Sequence, residues 1–231
     1  YVRSHDLNEH ISLIEATKKP CHTPVIASIN CYSDSEWVDF AEMMEKAGAD
    51  ALELNILSLQ TDKDYTPGSF EQRHIEILRH IKKVVKIPVI MKLGSNFTNP
   101  VSLINQLYAN GAAAVVLFNR FYQPDINIDT MTFTNANVMS TPNELVDRLR
   151  WTAIASAAVP RLDYAISGGV HCGKGVIKSI LAGAAAVEVC SVIYQYGAKE
   201  IENMKKESLN KVRESPKTKK APLSNDRSAY I

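Results

Sequence analysis

The sequence has almost no net charge. In 231 residues, 26 Lys and Arg stand against 25 Asp and Glu, a formal +1. Without a basic excess there is no global attraction for nucleic acid, and the basic stretch near the C-terminal end lacks the aromatics of a base-reading surface. Long hydrophobic runs are missing too. No segment approaches the ~20 apolar residues of a membrane span, and the opening residues do not follow a secretory pattern. Cysteine is scarce: Cys21, Cys31, Cys172 and Cys190 lie scattered without metal-ligand spacing. Such thiols are expected to be free in a reducing compartment rather than paired in a disulfide framework. The expectation is a soluble cytoplasmic, enzyme-like domain.

What is present is a repeat. Pro24-Val-Ile, Pro88-Val-Ile and Pro160 each open an apolar strand, and each is followed 23 or 24 residues later by Gly48-Ala49, Gly111-Ala112 or Gly183-Ala184. A further strand comes directly after each pair: ALELNI, AVVLFN and AVEVCS. Proline is tolerated as the first residue of a strand, and glycine suits the left-handed residue after a helix end. Strands alternating with helices predict a parallel sheet with right-handed crossovers, and near-continuous apolar strands agree with burial on both faces. The predicted fold class is α/β, a (β/α)8 TIM barrel. Three units give six strands where a closed barrel needs eight, so the first strand–helix–strand unit is expected to be missing from this chain. Residues 1–200 are expected to form the barrel domain and 201–231 a polar, basic tail whose last fifteen or so residues are loose.

The third copy of the repeat carries the most chemistry. The strand DYAIS (Asp163 to Ser167) runs into Gly168 and Gly169, and the strand from Ala185 ends at Cys190-Ser191. Taken alone, a Gly-Gly pair is an ordinary tight turn. At two successive strand-to-helix loops, glycines and following N–H groups can cradle a phosphate. The other strand ends are polar: Ser28-Ile-Asn30, Glu53-Leu-Asn55, Met91-Lys92 and Phe118-Asn119-Arg120. Polar groups at the C-terminal ends of barrel strands are where this fold carries function. In PVIMKLG, strand alternation puts Ile90 and Lys92 on one side, setting an ammonium beside an apolar wall.

ALELN, PVIMKL, LFNRFYQPD (Leu117 to Asp125), ISGG and the segment through Cys190-Ser191 resemble the FMN-dependent dihydroorotate dehydrogenase family, from about Pro24 to Tyr196. The nonapeptide is the most specific element and resembles the bacterial dihydroorotate dehydrogenase-like branch most closely. The resemblance implies that Ser167, Gly168, Gly169, Cys190 and Ser191 surround the FMN phosphate. It implies that Lys92 lies near the N1/C2-carbonyl edge of the flavin and that Ser28 hydrogen-bonds the isoalloxazine. Asn55 and Asn119 would hold the substrate. The implied activity is oxidation of dihydroorotate to orotate at a CH–CH bond, in pyrimidine biosynthesis, on a small-molecule substrate and often in a homodimer. The family's base loop reads Asn-Leu-Ser-Cys-Pro-Asn. Here the stretch is Asn55-Ile-Leu-Ser58-Leu-Gln60, which puts Ser58 at the base position; a slip of one residue would put Leu57 or Leu59 there. Serine needs a partner to act as a base, and His74, Asp62 and Lys92 are the chemical candidates. Because this loop departs from the family, two alternatives stand: an FMN- or phosphate-binding paralogue without the activity, and a non-flavin barrel acting on a phosphorylated metabolite.

Other features have plainer readings. On the helix near 71–82, Ile75, Leu78 and Ile81 form the apolar stripe, so Glu71, Arg73, His74, Glu76, Arg79, His80 and Lys82 are expected on a solvated face. Ser33 or Asp34 is expected to cap the next helix upstream, with Trp37, Phe40, Met43 and Met44 packed inside. His171 and Cys172 have no third ligand near them, so no metal is expected. Asp125 and Asp129 are expected in a lid or a dimer contact.

Overall fold

Each strand of the repeat begins within a few residues of its proline or Gly-Ala pair, and each crossover is a helix closed by a left-handed glycine. Gly48, Gly111 and Gly183 have φ of +95°, +90° and +106°, which only glycine adopts without strain. The computed structural model describes residues 2–20, 22–31 and 33–214. They form two compact units, Tyr1–Val115 and Val116–Ile231.

The first unit runs α1 (Val2–Lys18), β1 (Ile26–Ile29), α2 (Asp34–Lys46), β2 (Ala51–Asn55), α3 (Ser69–Val84), β3 (Val89–Leu93) and α4 (Pro100–Ala109), then reaches β4 (Ala114–Leu117). β1, β2 and β3 are parallel, with Ser28 opposite Glu53, Glu53 opposite Ile90 and Asn55 opposite Lys92. The amide of Ala113 donates to the Val89 carbonyl at 2.8 Å, bringing the approach to β4 beside β3. Asp50, just after a Gly-Ala pair, accepts from Lys18 Nζ at 2.8 Å and from the Val25 amide at 2.7 Å, tying α1 to the start of β1. The Lys18 ammonium and that amide hold the Asp50 carboxyl below its ordinary range.

Ser33 is the cap of α2, with Glu36 completing a capping box. Trp37, Ala41, Met44 and Ala47 are buried, a stripe spaced i, i+4, i+7 and i+10. Phe40 is only half-buried and Met43 is exposed, contrary to expectation; Met43 lies outside the arc that the buried stripe covers. On α3 the buried stripe is wider than expected: Phe70, His74, Ile75, Ile77, Leu78 and Ile81. His74 therefore lies in the core and not on the solvated face, while Glu76, Arg79, His80 and Lys82 are exposed.

The second unit opens with a hairpin, β5 (Pro124–Asn127) and β6 (Thr132–Asn135), and a short 3₁₀ turn at Pro142–Glu144. After α5 (Leu145–Ala158), β7 (Asp163–Ser167), α6 (Gly173–Leu181) and β8 (Ala186–Glu188) make the third copy of the repeat, with β7 and β8 parallel. α7 (Ser191–Tyr196) and α8 (Lys199–Glu214) follow. The hairpin sorts its residues by face: Ile126 and Phe133 stand opposite each other, while Asp125, Asn127, Thr132 and Thr134 point the other way. Asp125 lies on β5, where its carboxylate accepts from the Ile126 amide, and Asp129 lies in the hairpin turn, its amide donating to Asn127.

α6 turns its small residues inward. Gly173, Gly175 and Ser179 are buried, whereas Ile180 and Leu181 are exposed. A Cβ at Gly173 would meet the Met204 carbonyl at 2.7 Å and the Ser208 amide at 2.8 Å, so this glycine is what lets α8 approach. The polar stretch that starts near Glu202 thus folds as α8, and Met204 joins Leu145, Ile166, Val170, Ala184 and Val192 in one apolar core. The last fifteen residues lie outside the described residues.

Candidate active site

In the first unit the parallel register gathers one set of side chains. Alternate residues of a strand share a face, so Ser28 on β1, Glu53 and Asn55 on β2, and Lys92 on β3 point the same way near the strands' C-terminal ends. Ser28 Oγ donates to Glu53 Oε1 at 2.6 Å, and Lys92 Nζ lies 3.4 Å from the same oxygen. The Lys92 and Glu53 side chains are 16% and 6% exposed, so the pair is withdrawn from solvent. Three of the expected residues, Ser28, Asn55 and Lys92, are brought together. Glu53 is the one that sequence reasoning passed over, although an acid inside an otherwise apolar strand, two residues before Asn55, was a visible signal.

The loop after β2 carries Ser58. Its hydroxyl accepts from Gln60 Nε2 at 3.3 Å, and its carbonyl accepts from Asn96 Nδ2 at 3.1 Å. None of the three candidate partners holds it. Asp62 accepts from the Asp64 amide, Lys92 pairs with Glu53, and His74 Nδ1 lies 2.8 Å from the Phe70 carbonyl. Burial pushes the His74 imidazole below its ordinary value, against the Phe70 and Ile56 carbonyls, which favour the charged ring.

In the second unit, β7 ends at Ser167, and Gly168 (φ +89°) and Gly169 (φ +79°) carry the chain left-handed toward α6. Arg148 on α5 donates from Nε to the Ser167 carbonyl at 3.2 Å, and its Nη1 donates to the Glu144 carbonyl. The carboxylate of Glu144 also takes Arg120 and the Thr141 amide. The 3₁₀ turn is thereby fixed between Arg120, at the end of the LFNR segment, and the β7 loop.

Ser191, the first residue of α7, accepts through its hydroxyl from the Ser140 amide at 2.9 Å, and the two hydroxyls lie 3.0 Å apart. Ser140 Oγ in turn is 3.0 Å from His171 Nε2. Ser140 and His171 are thus additional polar groups at the phosphate-type loops; Ser140 was not legible, because it reaches Ser191 across 51 residues. Cys190 and Cys172 are exposed free thiols. Asn119 follows β4, and its Oδ1 accepts from the Arg120 amide at 2.8 Å. Two left-handed glycines, two hydroxyls and an imidazole form a donor set suited to a phosphate monoester. Among the described residues, no group of three His, Cys, Asp or Glu is placed to hold a metal ion. No described helix is long and apolar enough to cross a membrane.

The family model described as dihydroorotate dehydrogenase matches residues 5–212. The chain belongs to the dihydroorotate dehydrogenase family. It is 30% identical over 204 residues to the dihydroorotate dehydrogenase B (NAD(+)) catalytic subunit of Thermoplasma volcanium, covering 83% of this chain and 63% of that protein. To the protein of the same name from a Geobacillus species it is 28% identical over 173 residues, covering 72% and 54%. The chain therefore spans somewhat more than half the length of these relatives. A crystal structure of DHODH from Eimeria tenella, in complex with ferulenol, superposes with a TM-score of 0.68 at 15% identity, over 90% of this chain and 62% of that one. That likeness establishes the fold as the TIM-barrel type. The family match also takes in the segments ALELN, PVIMKL and LFNRFYQPD in which the resemblance was seen.

Proposed function

We propose that this chain is an FMN-dependent oxidoreductase that acts on a CH–CH bond and oxidises dihydroorotate to orotate, a cytoplasmic step of pyrimidine biosynthesis. The observation that carries it is the withdrawn Lys92–Glu53 pair set beside Asn55 at the strand ends of a dihydroorotate dehydrogenase family member. The relatives' names supply the substrate. FMN, when bound, supplies the hydride acceptor.

The chain's own residues have separate duties in this reading. The amides of Gly168, Gly169, Cys190 and Ser191, with Ser167 beside them, hold the phosphate. Lys92 places a cation at the flavin edge that becomes negative on reduction, and Ser28 takes part in holding the same edge. Asn55 and Asn119 orient the substrate through its amide and carboxylate groups. Ser58 stands where the proton is removed from the substrate. The apolar face of the hairpin, with Ile126 and Phe133 exposed, supports a homodimer as part of the proposal.

The test is spectroscopic. Purified protein reconstituted with FMN is expected to be yellow, and dihydroorotate added without oxygen is expected to bleach the flavin band. A yellow protein whose spectrum stays unchanged would favour a flavin-binding paralogue lacking the activity. A protein that takes up no FMN would overturn both and leave a barrel acting on a phosphorylated metabolite.

A further inference from the structure

A carboxylate that is 6% exposed is expensive to keep ionised unless it is paired and hydrogen-bonded. Glu53 meets both conditions through one oxygen, which receives the Ser28 hydroxyl at 2.6 Å and faces the Lys92 ammonium at 3.4 Å. All three side chains come from neighbouring parallel strands in fixed register, so the geometry is set by the sheet and not by a loop. A lysine is otherwise a poor element for fixed geometry, because its charge rides on four rotatable bonds. Glu53 gives that charge a fixed address. It also sets a negative charge beside it, in surroundings where charges are weakly screened.

We propose that Glu53 is the positioning carboxylate of Lys92, holding the ammonium in place and tempering its field so that the reduction potential of the bound flavin is kept low. This rests on the FMN reading above. Ser28 is the third part of the device, fixing the carboxylate that fixes the lysine. The consequence is a definite sign. Removing the Glu53 charge leaves Lys92 less compensated, favours the negative charge that reduction places on the flavin, and moves the midpoint potential positive.

The experiment compares wild type, Glu53→Gln, Lys92→Met and the double variant, each loaded with FMN and titrated against reference dyes. Glutamine keeps the volume and can still accept from Ser28. Glu53→Gln is expected to bind FMN and shift the midpoint positive, Lys92→Met to shift it negative, and the Glu53→Gln shift to shrink in the Lys92→Met background. Should Glu53→Gln not fold, Glu53→Asp serves in its place; its shorter carboxylate retreats from Lys92, and a smaller positive shift is expected. A second readout needs no cofactor: with lysines dimethylated and followed by carbon-13 NMR, Lys92 is expected to titrate at lower pH in Glu53→Gln than in wild type. FMN bound by all variants with an unchanged midpoint, or a Glu53→Gln shift undiminished without Lys92, overturns the role of Glu53 alone. Wild type that takes up no FMN overturns the flavin reading and this assignment together.

Discussion

The imidazole of His74 stands edge-on to the ring of Phe97, with centroids 5.1 Å apart and planes at 81°. Phe70 also stands edge-on to His74 at 4.6 Å and stacks on Phe97 at 5.1 Å, so the three rings form a compact triangle. Enclosure among these rings favours the neutral imidazole, because the loss of water around a charged ring outweighs the Phe70 and Ile56 carbonyls that favour it.

A pH dependence follows. Burial lowers the folded-state value of His74 below its ordinary 6.5. The stability gained is fully present above the unfolded value and is lost as pH falls through the folded one. Thermal melting of wild type is expected to drop between pH 7.5 and 5.5 by more than that of His74→Leu. Equal drops in the two proteins would show that His74 does not carry the effect.

Two glycines share a backbone conformation but not a neighbourhood. A Cβ at Gly169 (φ +79°) would come within 2.4 Å of the Leu145 amide nitrogen, while one at Gly68 (φ +87°) meets nothing within 4 Å. Gly68→Ala is expected to cost only the left-handed strain, about 1 kcal/mol. Gly169→Ala adds a clash with backbone and is expected to cost more than about 3 kcal/mol. Urea unfolding measures both, and similar midpoints would contradict the packing at Gly169.

Met204 tests whether α8 belongs to the fold. It is 4% exposed in the core that also holds Ile166 and Val192. Met204→Ala is expected to destabilise by about 2–5 kcal/mol, as large-to-small core substitutions do. An unchanged unfolding midpoint would mean that the helix is dispensable.

Ser58 tests the chemistry. If its hydroxyl takes the substrate proton, Ser58→Ala should slow anaerobic flavin reduction by dihydroorotate by about 10²–10⁴-fold. FMN binding should persist, since the expected phosphate residues lie in the second unit. Stopped-flow absorbance reads the rate, and reduction at the wild-type rate would move the base elsewhere.

The repeat was legible because its signals are local. Glycine after a helix and serine before one answer to backbone conformation and to unpaired amides, and Gly48, Gly111, Gly183 and Ser33 all stand where those demands arise. The left-handed turn at Gly168 and Gly169 was legible for the same reason, and the face that Lys92 takes because strand alternation is a local rule. The face that α6 turns inward was not. Composition favours burying Ile180 and Leu181, yet α8 needs the close approach that only Gly173 permits.

By itself the sequence determined the strands and helices of the repeat, its glycine-closed crossovers and the polar strand ends, because each depends on residues a few positions apart. Only the tertiary structure decided that His74 is enclosed, that Ser140 meets Ser191, and that Lys92 shares an oxygen of Glu53 with Ser28. Those relations join residues 25 to 51 positions apart in the chain, or depend on packing against a neighbouring segment, and no local propensity encodes them.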